Sequence, residues 1–178
     1  MNLIRHRYPT PLGEMTALLS PAGLCLLEFT EHTRGLAREI EQVEAARGGP
    51  AQDGDSALCE RLGRELAEYF AARRRRFDLP LDLVGTPFQI EVWRALLEIP
   101  HGQTRSYGEQ ARSIGRPSAT RAVAAANGQN KISLIVPCHR VIGSDGSLTG
   151  YGGGIARKRW LLQLEHRGRP PDTGEPLS

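Results

Sequence analysis

Cysteine is scarce in this chain: three in 178 residues, Cys25, Cys59 and Cys138, far apart from one another. An odd, scattered set makes no disulfide framework, which suits a reducing cytosol and a cytoplasmic protein. No Cys-x2–4-Cys or His-x3–5-His spacing occurs, so no metal is expected. No apolar run approaches ~20 residues, which argues against a membrane-crossing helix and a membrane partner. The opening Met-Asn-Leu-Ile-Arg-His-Arg lacks the long apolar segment of a signal peptide. What is present, 39% hydrophobic residues, suits a globular protein of one large or two small domains.

Acidic residues are scarce in one half only. Residues 1–85 carry 11 basic and 13 acidic side chains, a net −2. Residues 86–167 carry 11 basic and 5 acidic, a net +6. Between Arg105 and Arg140 there are six basic residues and one acid, Glu109. A basic face is usually just solvated, but its concentration in one half favours a polyanionic partner.

The most informative stretch is Ile135-Val-Pro-Cys-His-Arg-Val-Ile142. Free cysteine often packs as a small hydrophobe. Here Pro137 interrupts the run just before the thiol, and His139 and Arg140 are poor core residues. A base and a cation beside a sulfur favour thiolate over thiol, which makes Cys138 a candidate functional thiol beside the core-packing alternative.

The first 30 residues read as strands. Turn signals at Pro9–Gly13 and Ser20–Gly23 bracket Met15–Leu19 and Leu24–Phe29. The spacing of Leu36, Ile40 and Val43 predicts a helix over 34–47. A loop follows from Gly48 to Asp55. Leu58, Leu62, Leu66 and Tyr69 predict a second helix ending in Arg73–Arg76, read as a solvated helix end whose cations complement the dipole. Phe77–Val84 reads as extended. Residues 1–84 thus form a small α+β domain with no visible catalytic constellation.

A boundary is expected near Gly85. Thr86, Pro87 and Gln89 write an N-cap, a first helical residue and a capping box, followed by the stripe Phe88, Val92, Leu96 and Ile99. Ser106 and Glu109 write a second capping box, opening a helix expected to bury Tyr107, Ala111 and Ile114 and to stop at Gly115. A third helix is expected from Ser118 to about Ala126, ended by Asn127-Gly128. Short helices joined by a glycine turn form a helix-turn-helix pattern, with Ala111 and Gly115 at the close-approach and turn positions. The third helix, Ser-Ala-Thr-Arg-Ala-Val-Ala-Ala-Ala, is odd for a reader of base edges. It has small side chains and one long cation, Arg121. Such a smooth helix can press against the minor groove, ~6 Å wide against ~10–12 Å for a helix with side chains.

These pieces together resemble the O6-alkylguanine–DNA alkyltransferases, also called methylated-DNA–protein-cysteine methyltransferases. The resemblance runs through Gly85-Thr-Pro-Phe-Gln89, Ser106-Tyr107, Ile114–Pro117, Arg121-Ala-Val123, Ala126-Asn-Gly128, Asn130, Ile135–Gly143, Gly150-Tyr151, Gly153-Gly154 and Leu161-Leu162 to Glu165. It covers nearly all of residues 85–166. Residues 1–84 fit the family's variable N-terminal domain in size and element order. The implied fold class is α+β: an N-terminal three-stranded sheet with helices, ribonuclease-H-like, then a mainly helical, winged helix-turn-helix-like domain. The implied layout is 1–84, 85–166 and a flexible tail at 167–178.

The resemblance implies a suicidal repair reaction without a cofactor. Cys138 would take the alkyl group from O6 of a guanine rotated out of duplex DNA bound through its minor groove. His139 would act as base toward Cys138 through a water, and Glu165 would orient His139. Tyr107 would help rotate the phosphate and protonate the leaving guanine. Arg121 would fill the gap in the base stack. Ser106 and Ala122 would contact DNA, Tyr151 would wall the base pocket, and main-chain groups of Cys138, Val141 and Gly152 would read the guanine. Asn130 would bridge the helix-turn-helix to the active-site segment. The protein would act as a monomer, with cooperativity on DNA left open, as is repair of O4-alkylthymine. Some relatives hold a structural zinc in the N-terminal domain; Cys25 lacks evident companion ligands here. Two other readings stand beside this one. A helix-turn-helix regulator with Cys138 as redox sensor needs base-reading side chains, which are absent. A Cys–His hydrolase predicts turnover on an ester or amide.

Overall fold

The computed structural model describes residues 2–31 and 35–171. They fall into two compact units, Met1–Val84 and Gly85–Ser178.

In the first unit, strands β1 (Ile4–Tyr8), β2 (Met15–Ser20) and β3 (Gly23–Phe29) run antiparallel in sequence order. Every residue of β2 and β3 is buried. Both faces of these strands are covered, so their sequences run nearly continuously apolar instead of alternating. Helix α1 (Leu36–Arg47) lays Val43 on one face, against Leu3, Leu18, Cys25 and Leu26. Its expected first two residues include Arg34, which lies outside the described residues. Helix α2 (Ala57–Phe70) is capped by Ser56, whose hydroxyl accepts from the Cys59 amide. The Tyr8 hydroxyl donates to the Cys59 carbonyl at 2.8 Å, tying β1 to α2.

Two findings differ from the expectations here. A two-residue strand, β4 (Gln52–Asp53), pairs parallel with β1 inside the stretch read as loop, giving the order β3-β2-β1-β4. The arginine run does not end α2. The helix stops at Phe70 and Ala72 takes a left-handed φ of 60°, turning the chain away. Arg74 then bonds Glu68 at 3.2 Å and Asp78 at 3.2 Å, so it serves ion pairs and not the helix dipole.

Residues 77–84 lie along β3 through a parallel bridge, Leu24 to Leu81. A glycine is required at the turn into β3: a Cβ on Gly23 would sit 2.4 Å from the Pro80 carbonyl oxygen. This places Asp82 against Arg47, which donates to it from Nε and Nη2 at 2.8 Å each, and against the Ser20 hydroxyl at 2.6 Å. The Cys25 thiol also faces Asp82, at 3.4 Å. The Arg47 bonds hold the Asp82 carboxyl down at about 2, against the opposing effect of burial. Burial pushes the Cys25 thiol up to about 11. A carboxyl depressed on folding stabilises the protein above its unfolded value of ~3.9. That stabilisation, roughly 2 kcal/mol, is lost as pH falls from there toward 2. Asp82→Asn is therefore expected to lower the pH 7 unfolding free energy by about 2 kcal/mol and to flatten acid sensitivity between pH 4 and 2 in urea titrations.

The second unit opens with α3 (Pro87–Leu97). Both arms of the Thr86/Gln89 capping box are formed, with Pro87 in the first turn. Val92, Trp93 and Leu96 are its buried residues. Strand β5 (Arg105–Ser106) leads into α4 (Tyr107–Ser113), where the Ser106/Glu109 box is again complete. Gly115 makes the turn with φ 72°. Helix α5 spans Thr120–Gly128, starting two residues later than expected and including Asn127-Gly128. Its N-cap residue, Ala119, has no side-chain oxygen, so no capping signal marked its start. On α4 the buried residues are Gln110 and Ala111, while Tyr107 and Ile114 are half-buried. Gln110 and Asn127 exchange amide hydrogen bonds at 2.9 and 2.7 Å, locking α4 to α5 in the interior. Trp93 Nε1 donates to the Ala126 carbonyl at 2.8 Å, fixing α5 to α3. Strand β6 (Val141–Ile142) pairs parallel with β5, and α6 (Ile155–Arg167) closes the unit. No helix among the described residues is long and apolar enough to cross a membrane.

Candidate active site

The segment from Asn130 to Ile142 is almost wholly buried, and Cys138 is the half-exposed residue at its turn. Pro137 ends the apolar run and caps a single 3-10 turn, Cys138–Arg140. The Cys138 amide bonds Val136 O at 2.8 Å and the Arg140 amide bonds Pro137 O at 3.0 Å, which bends the chain sharply at the thiol. The bend is prepared by Leu134, a buried residue at φ 72°, a left-handed conformation that disfavours side chains with a Cβ. Cys25 and Cys59 are buried, so Cys138 is the accessible thiol of the three.

Asn130 organises the segment from within. Its Nδ2 donates to Val136 O at 2.8 Å, with Ile132 O and Cys138 Sγ each at 3.3 Å, and its Oδ1 accepts from the Ile132 amide at 3.0 Å. One buried amide therefore joins the end of the α5 connection to the sulfur.

The next two residues point inward. His139 is fully buried, and its Nε2 meets Glu165 Oε2 on α6 at 2.7 Å. With Nε2 engaged by Glu165, Nδ1 is the ring nitrogen left for a second partner. That atom is buried and has no hydrogen-bond partner among the described residues. Arg140 donates to both Glu165 oxygens, at 2.8 and 3.0 Å, and to Ile99 O at 2.7 Å. Burial alone raises the Glu165 carboxyl, but His139 and Arg140 more than offset it and hold the group well below the ordinary carboxylate range. Glu165 is thus a fixed anion that orients the imidazole while Arg140 balances its charge.

The structure brings most of the other sequence-derived site residues to this place. Tyr151 is buried, edge-on to the His139 ring at 6.5 Å between centroids. Tyr107, half-buried at the start of α4, gives its hydroxyl to Thr149 O at 3.3 Å. Val141 is buried and exposes no side chain, while Gly152 is exposed, with open space where a Cβ would stand. Arg121 and Ala122 are exposed on α5 with Ala125 and Gly128, and Ser106 is occupied in capping α4.

Sequence reading left out three contributors. Arg140 was noticed as a cation beside sulfur, but not as the partner of Glu165. The Gln110–Asn127 pair gave no local signal. Lys158 is wholly buried on α6, with its ammonium on Val141 O at 2.6 Å and Thr149 O at 2.8 Å. A signal for it did exist: Lys158, Leu161 and Glu165 fall at i, i+3 and i+7, so two charges sit on the buried stripe of α6.

A partly exposed thiol, followed in sequence by a buried imidazole held by a carboxylate, on a helix-turn-helix, is an arrangement able to serve cysteine-nucleophile chemistry. Comparison with known proteins is more specific. Residues 87–167 match the DNA binding domain of 6-O-methylguanine DNA methyltransferase, and residues 3–83 match its ribonuclease-like domain. The chain belongs to this family. The methylated-DNA–protein-cysteine methyltransferase of Mycobacterium bovis is 62% identical over 108 residues, 61% of this chain and 66% of that protein. The Shigella flexneri protein of the same name is 40% identical over 176 residues, 93% of this chain and 96% of that one. The crystal structure of Mycobacterium tuberculosis OGT in complex with DNA superposes with a TM-score of 0.81 at 44% identity, covering 94% of this chain and 95% of that one.

Proposed function

We propose that this protein repairs DNA by transferring an alkyl group from O6 of guanine to Cys138, directly, irreversibly and once per molecule. The observation that carries the reading is the partly exposed Cys138, next in sequence to the buried His139–Glu165 pair, in a chain of the methyltransferase family.

In this mechanism Nδ1 of His139 takes the thiol proton through a water. The thiolate then attacks the alkyl carbon. The S–C bond forms, the C–O6 bond breaks, and its electron pair passes to guanine, which takes a proton from the Tyr107 hydroxyl. Thiolate is the strongest nucleophile toward saturated carbon that the side chains offer. The thioether product has no side chain able to break it, so turnover ends there. Asn130 holds the sulfur in place, Tyr151 forms the pocket wall, and the main chain at Val141 and Gly152 reads the flipped base.

DNA lies against the exposed face of α5. Its small residues, Ala122 and Ala125, let the helix approach the minor groove, and Arg121 enters the stack where the base has left. Ser106, at the start of α4, faces the same duplex. The protein acts as a monomer in the cytoplasm. Affinity is expected to fall linearly with the logarithm of salt concentration, because arginine–phosphate contacts dominate it. Arg121→Ala is expected to slow transfer from duplex at least about tenfold, a loss of ~1.4 kcal/mol, while iodoacetamide still labels Cys138 at the wild-type rate. Equal slowing in both assays would remove the assignment.

The test is a duplex carrying O6-methylguanine with labelled methyl. Label is expected on protein to at most one equivalent. Several turnovers would favour a hydrolase, and DNA binding without any transfer would favour a regulator.

A further inference from the structure

The first unit gathers three metal-binding side chains that alkyl transfer does not use. A ring nitrogen of His6, a carboxylate oxygen of Asp55 and Cys59 Sγ all lie within 4.8 Å of one another. They come from β1, the link before α2 and the first turn of α2. Metal-site spacing patterns describe ligands close together in the sequence, so they miss this group. Cys25 is not a member, since its thiol faces Asp82.

Each donor is held by hydrogen bonds of the kind that orient metal ligands. His6 Nδ1 meets Gly54 O at 2.7 Å. A carbonyl only accepts, so Nδ1 donates its hydrogen there, and the neutral ring has its lone pair on the other nitrogen. A histidine ligand commonly gives its second N–H to a backbone carbonyl in this way. Cys59 Sγ is 3.3 Å from the Ser56 hydroxyl. The Cys59 backbone is fixed twice, by its amide on Ser56 Oγ at 3.2 Å and by the Tyr8 hydroxyl on its carbonyl at 2.8 Å. Asp55 Oδ1 accepts from the Ser56 amide at 2.8 Å, which leaves the second oxygen. Asp53 is engaged by Arg5 and Arg7, whereas Asp55 makes no ion pair among the described residues. Cys59 is buried, His6 half-buried and Asp55 exposed, so the cluster meets solvent on its carboxylate side.

We infer that His6, Asp55 and Cys59 bind one zinc ion, with water in the fourth position, and that the ion ties β1 to the start of α2. One sulfur, one imidazole and one carboxylate suit zinc, whose tetrahedral sites take these donors. At zinc bond lengths of about 2.0–2.3 Å, tetrahedral donors stand about 3.3–3.6 Å apart. The cluster therefore closes by about 1 Å at its widest on binding, through side-chain rotation of the exposed Asp55 and half-buried His6. The Zn–S bond forms as the Cys59 thiol gives its proton to solvent. An ion held by the folded unit, and not by the unfolded chain, stabilises the fold by mass action.

Full-length protein freed of metal with a chelator is titrated with cobalt(II), whose bond to a thiolate absorbs in the near ultraviolet. One equivalent per chain is expected to bring up this band, and zinc is expected to displace the cobalt and abolish it. Cys138→Ser protein is expected to give the same band, and Cys59→Ser protein none. His6→Asn and Asp55→Asn leave the buried cysteine in place, and each is expected to weaken binding at least about tenfold. Zinc at about a hundred times its Kd is expected to raise the wild-type Tm by about 5 °C or more, and that of His6→Asn protein by about half as much or less at the same concentration. Failure to bind cobalt or zinc, a band that follows Cys138 instead of Cys59, or affinity unchanged in both His6→Asn and Asp55→Asn would each overturn the inference. These readouts involve no DNA and no transfer, so they stand or fall apart from the repair reading.

Discussion

Cys138→Ser protein is expected to accept no alkyl group over the time in which wild-type protein reacts to completion, while still binding duplex DNA. The change keeps shape and hydrogen bonding: Asn130 Nδ2, 3.3 Å from the sulfur, donates equally well to a hydroxyl. The site is half-exposed, so folding stability should stay within about 1 kcal/mol of wild type. What is lost is ionisation. A thiol of ordinary pKa ~8.5 is within reach of a histidine base at neutral pH, and an alcohol is not. The arginines of α4 and α5 are untouched, so binding should show the same salt dependence. Electrophoretic mobility shift and label transfer on the same preparation check both halves. Residual transfer to Cys138→Ser protein would place the acceptor elsewhere.

Loss of the Glu165 carboxylate is expected to damage stability and chemistry together. It bonds His139 once and accepts twice from Arg140, all within 3.0 Å. Glu165→Ala leaves the Arg140 guanidinium buried without its carboxylate partner, and breaking a buried pair in this way costs ~3–5 kcal/mol. Against a typical domain stability of ~5–15 kcal/mol that is a large fraction, read as a Tm lower by about 10 °C or more. Glu165→Gln keeps the shape and separates the two effects. Its stability loss is expected to be smaller, but with no anion to fix the imidazole, the transfer rate should still fall about a hundredfold, the usual range for an impaired base. Calorimetry and single-turnover transfer distinguish these outcomes. A Glu165→Gln protein of wild-type rate would show that the carboxylate does no more than pack.

Much of the second unit was legible because its signals are local. Thr86 with Gln89, and Ser106 with Glu109, are capping boxes complete within four residues, and Gly115 supplies the turn at φ 72°. The segment proposed as catalytic drew notice through Pro137, Cys138, His139 and Arg140, which are neighbours in the sequence. The start of α5 could not, since Ala119 offers no cap. Nor could β4, two residues long and defined only by its partner β1. The fate of Arg73–Arg76 was misread because the acids that engage Arg74, Glu68 and Asp78, lie on both sides of a turn that only the folded chain reveals. Glu165 came from family resemblance rather than from pattern: a carboxylate near the end of an amphipathic helix looks like surface until its partners arrive from a segment 25 residues away. Arg140, Lys158 and the Gln110–Asn127 pair belong to the same class. Their roles depend on charges and amides meeting in the interior, which periodicity does not encode.

The most direct measurement is peptide mass spectrometry of the protein after incubation with excess duplex containing O6-methylguanine. One added methyl group on the peptide bearing Cys138, with Cys25 and Cys59 unmodified and unmodified guanine left in the DNA, is the expected result. A repaired duplex with Cys138 unchanged, or methyl found on either buried cysteine, would contradict it.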